Sequence, residues 1–290
     1  MAIRIVTDER CTEYFFPGHP ERPARILNTL AKLRQQTELQ VDYVKPLEFD
    51  EELLRRAHSD AHLRLLKSPH GHFHPDTPAH PEIFQHAVRS VGGVLRAMDL
   101  ARKGHIAFSL MRPPGHHAKR DMMMGFCYLN SIAVTVLEGL AMGVSNLAVF
   151  DFDVHHGNGT EAILVNQPHA TFFSVHQHPC YPGTGTKNVG NNCFNYPVPP
   201  HTPRREYRAV LAKCFEDLKR TKPDLVAVSA GFDAYVCDSI AQEELEVEDF
   251  YWIGRMIRRS GIPSFSMLEG GYSDELPDLI MAYLRGLHGR

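Results

Sequence analysis

Between Leu147 and Gly159 the chain reads Leu-Ala-Val-Phe-Asp-Phe-Asp-Val-His-His-Gly-Asn-Gly, an apolar run ending in carboxylates, imidazoles and glycines. Read as a strand, the run places Asp151, Asp153 and His155 on one face, because side chains alternate along a strand. Three such groups at a strand end are costly to bury unless a cation sits among them. His156 falls on the other face and reads as a packing or hydrogen-bonding residue. The glycines let the backbone turn tightly and approach a bound ion or substrate closely.

Other segments carry matching chemistry. Arg112-Pro-Pro-Gly-His116-His117 sets two imidazoles on a stiff loop, and histidine titrates near neutrality, as general acid–base work requires. Ala230-Gly231-Phe232-Asp233 supplies a further carboxylate. Glu269-Gly270-Gly271-Tyr272 supplies a phenol on a glycine pair expected to be flexible, able to donate to a developing oxyanion. Phe126 and Tyr181 are candidate aromatic walls, and Asp76, in His74-Pro-Asp-Thr-Pro78, a candidate rim residue. Each has a plainer alternative. Asp151, Asp153 and His155 could form a strand-end hydrogen-bond network, Tyr272, Phe126 and Tyr181 could be core aromatics, and Asp76 a turn or cap residue. The coincidence of Asp233 with the tandem histidines weighs against the first of these. Cys127, Cys180 and Asp238 read as packing or turn residues, and His58, His62, His70, His72, His74 and His80 as surface or loop histidines.

The elements that must position these groups alternate. Strand-length apolar runs occur at 2–6, 106–110, 146–152, 170–175, 224–229 and 263–268. Helical periodicity covers about 21–35, 50–67, 80–103, 128–142, 205–220, 247–260 and 274–288. Alternation of this kind, with several strands lacking polar positions, predicts an α/β fold whose parallel sheet is covered on both faces. Pro and Gly cluster at 68–81, 112–125, 177–203 and 261–271, beside strand ends, so the candidate groups belong to loops that converge where such sheets bind ligands. No repeat or linker is visible, and residues 1–290 read as one domain.

Composition narrows the classes. The 290 residues carry a net charge of −3 with no Lys/Arg block, which gives no reason to expect a nucleic-acid partner. The first residues lack the apolar core of a signal peptide and no run is long enough to span a membrane, so the expected location is cytoplasmic. Six scattered cysteines without a Cys-x-x-Cys pair read as free thiols and argue against a cysteine zinc site.

Taken together, Arg112-Pro-Pro-Gly-His-His117, Gly125-Phe-Cys-Tyr-Leu-Asn130, Asp151-Phe-Asp-Val-His-His-Gly-Asn158, Tyr181-Pro-Gly-Thr-Gly185, Ala230-Gly-Phe-Asp233 and Glu269-Gly-Gly-Tyr272 resemble the histone deacetylase family, in its order and spacing. His19-Pro-Glu-Arg-Pro-Ala-Arg25 resembles the start of that domain, and Asn158 and Glu269 look closer to class II and bacterial relatives than to class I. The resemblance implies the arginase/deacetylase fold, a parallel sheet of about eight strands between helices. It implies Asp153, His155 and Asp233 as ligands of one zinc ion, with a position left open for water and substrate. Asp151 then orients His116 and joins a potassium site with main-chain oxygens of Asp151, Asp153, His155, Ser174 and Val175. Asn158 faces His117 and leaves it the less basic of the two histidines.

The implied reaction is metal-assisted amide hydrolysis, with His117 moving the proton, His116 as electrostatic partner and Tyr272 at the oxyanion. Gly125, Phe126, Tyr181, Gly270, Gly271 and Asp76 line the substrate path in this picture. The substrate class is an acyl-lysine in a protein or a related small N-acylated amine; acetylpolyamine hydrolysis, a non-catalytic acyl-ligand binder of the same fold and a binuclear manganese ureohydrolase are the alternatives. The oligomeric state is not legible in the sequence.

Overall fold

The structure, a computed structural model, describes residues 2–70 and 72–289. Its strands are β1 (Ile3–Val6), β2 (Val41–Val44), β3 (His72–His74), β4 (Thr77–Pro78), β5 (Ile106–Ser109), β6 (Leu147–Asp151), β7 (Ala170–Gln177), β8 (Cys193–Val198), β9 (Leu225–Ala230) and β10 (Ser264–Leu268). The α-helices are α1 (Ala24–Gln35), α2 (Asp60–Lys67), α3 (Ile83–Arg102), α4 (Ser131–Ala141), α5 (Asn158–Leu164), α6 (Arg204–Arg220), α7 (Val247–Arg259) and α8 (Leu276–His288).

Eight strands form one parallel sheet in the order β2-β1-β5-β10-β9-β6-β7-β8. The central strands β6 and β9 are buried at every position, as their apolar runs, polar only towards the carboxyl ends at Asp151 and Ser229, lead one to expect. Alternate side chains feed two cores. Ala148 and Phe150 pack with residues of α1, α6, α7 and α8, whereas Leu147 and Val149 pack with residues of α2, α3, α4 and α5. The α/β fold and the eight parallel strands follow the expectation.

The differences have local causes. The two strands of the large sheet that were not anticipated, β2 and β8, are its edges, where one side pairs with nothing and polar or Pro residues are tolerated; β8 carries Asn195 and Pro197. The helical stretch expected over 50–67 is divided into a 3₁₀ turn at Glu51–Arg56 and α2, because Ser59 caps α2 through the His62 N–H. The short β3–β4 hairpin and α5 were also not anticipated, and the hairpin holds Asp76 in its turn. His58 and His62 are buried rather than on the surface: their rings stack with centroids 4.5 Å apart, and His58 takes the Asn130 N–H at 2.9 Å. Burial depresses the pKa of His58 to about 3, so it packs as a neutral ring.

Candidate active site

The loops after β5, β6, β9 and β10 meet beyond the carboxyl ends of those strands, and Tyr181, after β7, reaches the same place. β6 ends at Asp151, so strand alternation is not what gathers the acidic residues. Two consecutive side-chain-to-backbone turns do it: Asp151 Oδ1 accepts from Asp153 N at 3.2 Å, and Asp153 Oδ1 accepts from His155 N at 2.9 Å. Asp233 arrives from the end of β9 and is tied in by the Val154 N–H at 3.0 Å.

The result is a triad. His155 Nδ1 lies 3.1 Å from Asp153 Oδ1 and 3.1 Å from Asp233 Oδ2, and one donor atom from each residue falls within 4.8 Å of the others. A tetrahedral ion with bonds of ~2.0–2.1 Å spaces its donor atoms about 3.3 Å apart, so these edges fit a small divalent cation. The charge also fits. Asp151, Asp153, Asp233 and Glu269 are all fully buried, among the described residues no Lys or Arg side chain bonds to their carboxylates, and the imidazoles beside them are His116 and His155. Burial opposes protonation of His155, but Asp233 and Asp153 outweigh it and hold its pKa well above the ordinary imidazole value. A cation at the three donor atoms would take that proton's place. Among the described residues this is the one group of three such side chains in metal-binding reach. Among the described residues no second group of this kind stands beside it to complete a binuclear centre.

The glycines here are packed in place, contrary to the expected flexible pair. A Cβ on Gly270 would sit 2.0 Å from Asp233 Oδ2, and one on Gly231 would sit 2.1 Å from Asp153 Oδ2. Gly270 N donates to Asp153 Oδ2 at 2.8 Å.

Beside the triad stand His116 and His117, with ring centroids 4.0 Å apart. His116 Nδ1 faces Asp151 Oδ2 at 3.1 Å. Burial alone would depress His116, yet Asp153, Asp151 and Glu269 overcome it and raise its pKa to about 10. His117 Nδ1 faces Asn158 Oδ1 at 2.7 Å, and burial with the nearby His116 and His155 drives its pKa well below the usual imidazole range. Their surroundings therefore push the two histidines in opposite directions, His116 towards the charged form and His117 towards the neutral one.

Tyr181 packs edge-on against His117 at 5.1 Å, and Phe126 packs edge-on against Tyr272 at 5.7 Å. Tyr272 is further held by Arg25, whose guanidinium lies 4.8 Å from the ring centre, and by its N–H to Asp238 Oδ2 at 2.7 Å. Asp76 Oδ1 accepts from Gly125 N at 3.0 Å and Thr77 Oγ1 at 2.7 Å, and it lies 2.7 Å from His74 Nδ1. That oxygen thus shapes the Gly125–Phe126 wall. β6 and β7 pair Asp151 with Ser174, with Val175 next in line, although Ser174 Oγ lies 2.9 Å from His176 Nδ1. His156 packs on His176, with Nδ1 2.8 Å from Thr184 Oγ1, as a hydrogen-bonding residue should.

Sequence reasoning passed over the supports. Glu269 was part of a motif without a role, and its signal is an acid closing the apolar strand Ser-Phe-Ser-Met-Leu. Glu21, Arg25 and Arg112 form a buried network: Arg112 forks onto Glu21 at 2.5 and 2.8 Å, and Arg25 Nε donates to the Gly271 carbonyl at 2.7 Å. Asn130 caps α4 and donates to the Ala118 carbonyl at 3.0 Å, which fixes the chain just after His117.

A parallel sheet with a buried Asp-His-Asp triad and a histidine pair at its carboxyl edge defines a hydrolase site of the deacetylase type. Residues 19–286 match the model of the histone deacetylase domain. A probable deacetylase of Methanothermobacter thermautotrophicus is 36% identical over 287 residues, covering 94% of this chain and 86% of the relative. An acetylpolyamine amidohydrolase of Mycoplana ramosa is 32% identical over 227 residues, covering 74% and 66%. The crystal structure of the HDA15 HD domain superposes with a TM-score of 0.91 at 27% identity, covering 99% of this chain and 90% of that one. The chain belongs to the histone deacetylase family, and its activity is that of a deacetylase or amidohydrolase.

Proposed function

We propose that this protein is a zinc-dependent deacylase that hydrolyses the Nε amide of acyl-lysine, most readily acetyl-lysine, or of a small N-acylated amine. The observation that carries this is the triad of Asp153, His155 and Asp233 with His116 and His117 beside it, one facing a carboxylate and the other an amide. One zinc ion held by the triad would polarise the amide carbonyl and acidify water.

His117 is the proton carrier. An amide oxygen accepts only, so Asn158 Oδ1 receives the Nδ1–H of His117 and leaves Nε2 with its lone pair for water. The proton taken there is delivered to the departing amine nitrogen as the C–N bond breaks. His116, paired with Asp151, keeps a positive charge beside the site through the cycle. The Tyr272 hydroxyl donates to the oxygen on which negative charge develops. Phe126 and Tyr181 line the path of an aliphatic stem, with Gly125, Gly270 and Gly271 as its backbone, and any rim contact of Asp76 falls to Oδ2. A potassium ion is proposed among main-chain oxygens of Asp151, Asp153, His155, Ser174 and Val175, a reading that the pairing of Asp151 with Ser174 supports. Six free cysteines suit a cytoplasmic setting. No described helix is long and apolar enough to cross a membrane.

A panel of acetyl-lysine peptides, longer acyl-lysines and acetylpolyamines, assayed with zinc quantified, tests the reading. One zinc per chain, turnover on at least one N-acyl amine and loss of both in Asp233→Ala are expected. Stoichiometric zinc with no turnover on any of them would make the protein a non-catalytic binder. The substrate with the highest kcat/KM decides between peptide and polyamine.

A further inference from the structure

We infer that Glu269 is a positioning residue that locks the loop of His116 and His117 to the loop of Tyr272. Its side chain is fully buried at the end of β10 and reaches across to a different connection. Oε2 accepts from the backbone N–H groups of Gly115 at 2.7 Å and His116 at 3.2 Å, and Oε1 accepts from the Ser229 hydroxyl at 2.9 Å. Its own N–H donates to the Ala230 carbonyl at 2.9 Å, and its carbonyl receives a guanidinium N–H of Arg25. Glu269 therefore joins the paired ends of β9 and β10 to the histidine loop and to α1.

The chain of contacts continues in both directions. Gly270, the next residue, donates to the triad carboxylate of Asp153, and Tyr272 follows two residues later. On the other side, His116 begins at the N–H that Glu269 receives. One carboxylate thus sets the separation between the proton-carrying imidazole and the phenol, and both must meet the same amide group. A backbone that relaxed here would displace His117 relative to Tyr272, and misplacement of about 1 Å at a reacting centre costs on the order of 100-fold in rate. Among the described residues neither Gly115 nor His116 has another acceptor for its N–H, so removing the carboxylate leaves two buried donors unpaired, although the His116 carbonyl still receives the Gly159 and Thr160 N–H groups.

This inference rests on the amide-hydrolysis reading, and the experiment separates the two. Glu269→Gln keeps the shape: its amide oxygen can receive both N–H groups while its NH₂ turns to Ser229, which then accepts. Glu269→Ala removes the acceptor. Expected in Glu269→Ala is a kcat lowered about 10- to 100-fold, with KM and zinc content within about threefold of wild type. Glu269→Gln should recover kcat to within about threefold. The low-field proton resonance of His116 Nδ1–H, read without substrate, should shift or broaden in Glu269→Ala and return in Glu269→Gln. Wild-type kcat in folded Glu269→Ala, or equal losses in the Ala and Gln variants, overturns the role. If Glu269→Ala does not fold, Glu269→Asp, one methylene short, decides by the same readouts. If the wild type hydrolyses no amide, the reading of function fails, and an unchanged His116 resonance in Glu269→Ala would overturn the positioning role separately.

Discussion

His117 places its Nδ1 2.7 Å from the amide oxygen of Asn158, and this single contact decides which ring nitrogen is available to water. The amide nitrogen of Asn158 is turned away, 3.5 Å from the Met124 sulfur, so the oxygen is fixed as the acceptor. A carboxylate at this position would also accept from Nδ1, but it would stabilise the imidazolium as well.

That difference makes Asn158→Asp informative. In the wild type, burial first and the neighbouring imidazoles second hold the pKa of His117 well below the usual imidazole range. The rate is then insensitive to protonation of His117 through the mildly acidic range. Asn158→Asp adds a negative charge and raises the pKa of His117. The acid limb of kcat/KM should move to higher pH, with kcat at neutral pH falling less than the acidic rates do. An unmoved acid limb would remove His117 from the role of base.

Tyr272 permits a clean subtraction. Its ring is wedged between Arg25 and Phe126 and its N–H is held by Asp238, and none of these contacts uses the hydroxyl. Tyr272→Phe should therefore fold and bind zinc as the wild type does. Loss of one oxyanion donor lowers kcat by roughly 100- to 1,000-fold, with KM little changed. Steady-state kinetics showing less than about a threefold loss would mean that the phenol does not meet the developing charge.

How far the sequence reveals this arrangement depends on how local each cause is. β6 and β9 announce themselves because burial on both faces leaves a continuous apolar run, with polar residues confined to their carboxyl ends at Asp151 and Ser229. β2 and β8 do not, because an edge strand has the composition of a loop. The chemistry-bearing residues are legible as a set, since metal ligands, tandem imidazoles and a phenol are unusual at strand ends. Their geometry is less so. Asp151, Asp153 and His155 were expected to share a strand face, but two side-chain turns beyond the strand bring them round. The supports are least legible of all, because Glu21 and Arg112 are 91 residues apart and Glu269 and Gly115 are 154 apart. Nothing in either segment alone states that the other is its partner.

The Glu21–Arg112 pair is the support whose loss should be felt in stability. Arg112 is fully buried, stacks on Tyr14 at 4.1 Å and also donates to the Cys11 carbonyl at 2.8 Å. The guanidinium and burial compete over Glu21: burial opposes its charge, Arg112 and Arg25 favour it, and the net effect is a lowered pKa. Glu21→Gln leaves Arg112 charged and buried with no counter-ion of comparable geometry. Breaking such a pair destabilises by about 3–5 kcal/mol, which urea unfolding would read directly. A loss below about 1 kcal/mol would show that Arg112 finds water or another acceptor.

Gly125 tests how tightly the wall controls the base. Its φ is +57°, a conformation glycine adopts without penalty, and its N–H is held by Asp76. A Cβ there would lie 2.3 Å from His117 Cδ2 and 2.7 Å from Cγ, so the imidazole must move. The ring has little freedom to do so, with His116 on one side and Tyr181 edge-on to it. Gly125→Ala should therefore tilt Nε2 away from the water it must deprotonate, while Asp153, His155 and Asp233 are untouched. The expected outcome is unchanged zinc content, a kcat reduced on the order of 100-fold and a stability loss of about 1–2 kcal/mol from the left-handed backbone. A variant with normal kcat would mean that His117 tolerates displacement, and with it that the contact to Asn158 is not what aims the base.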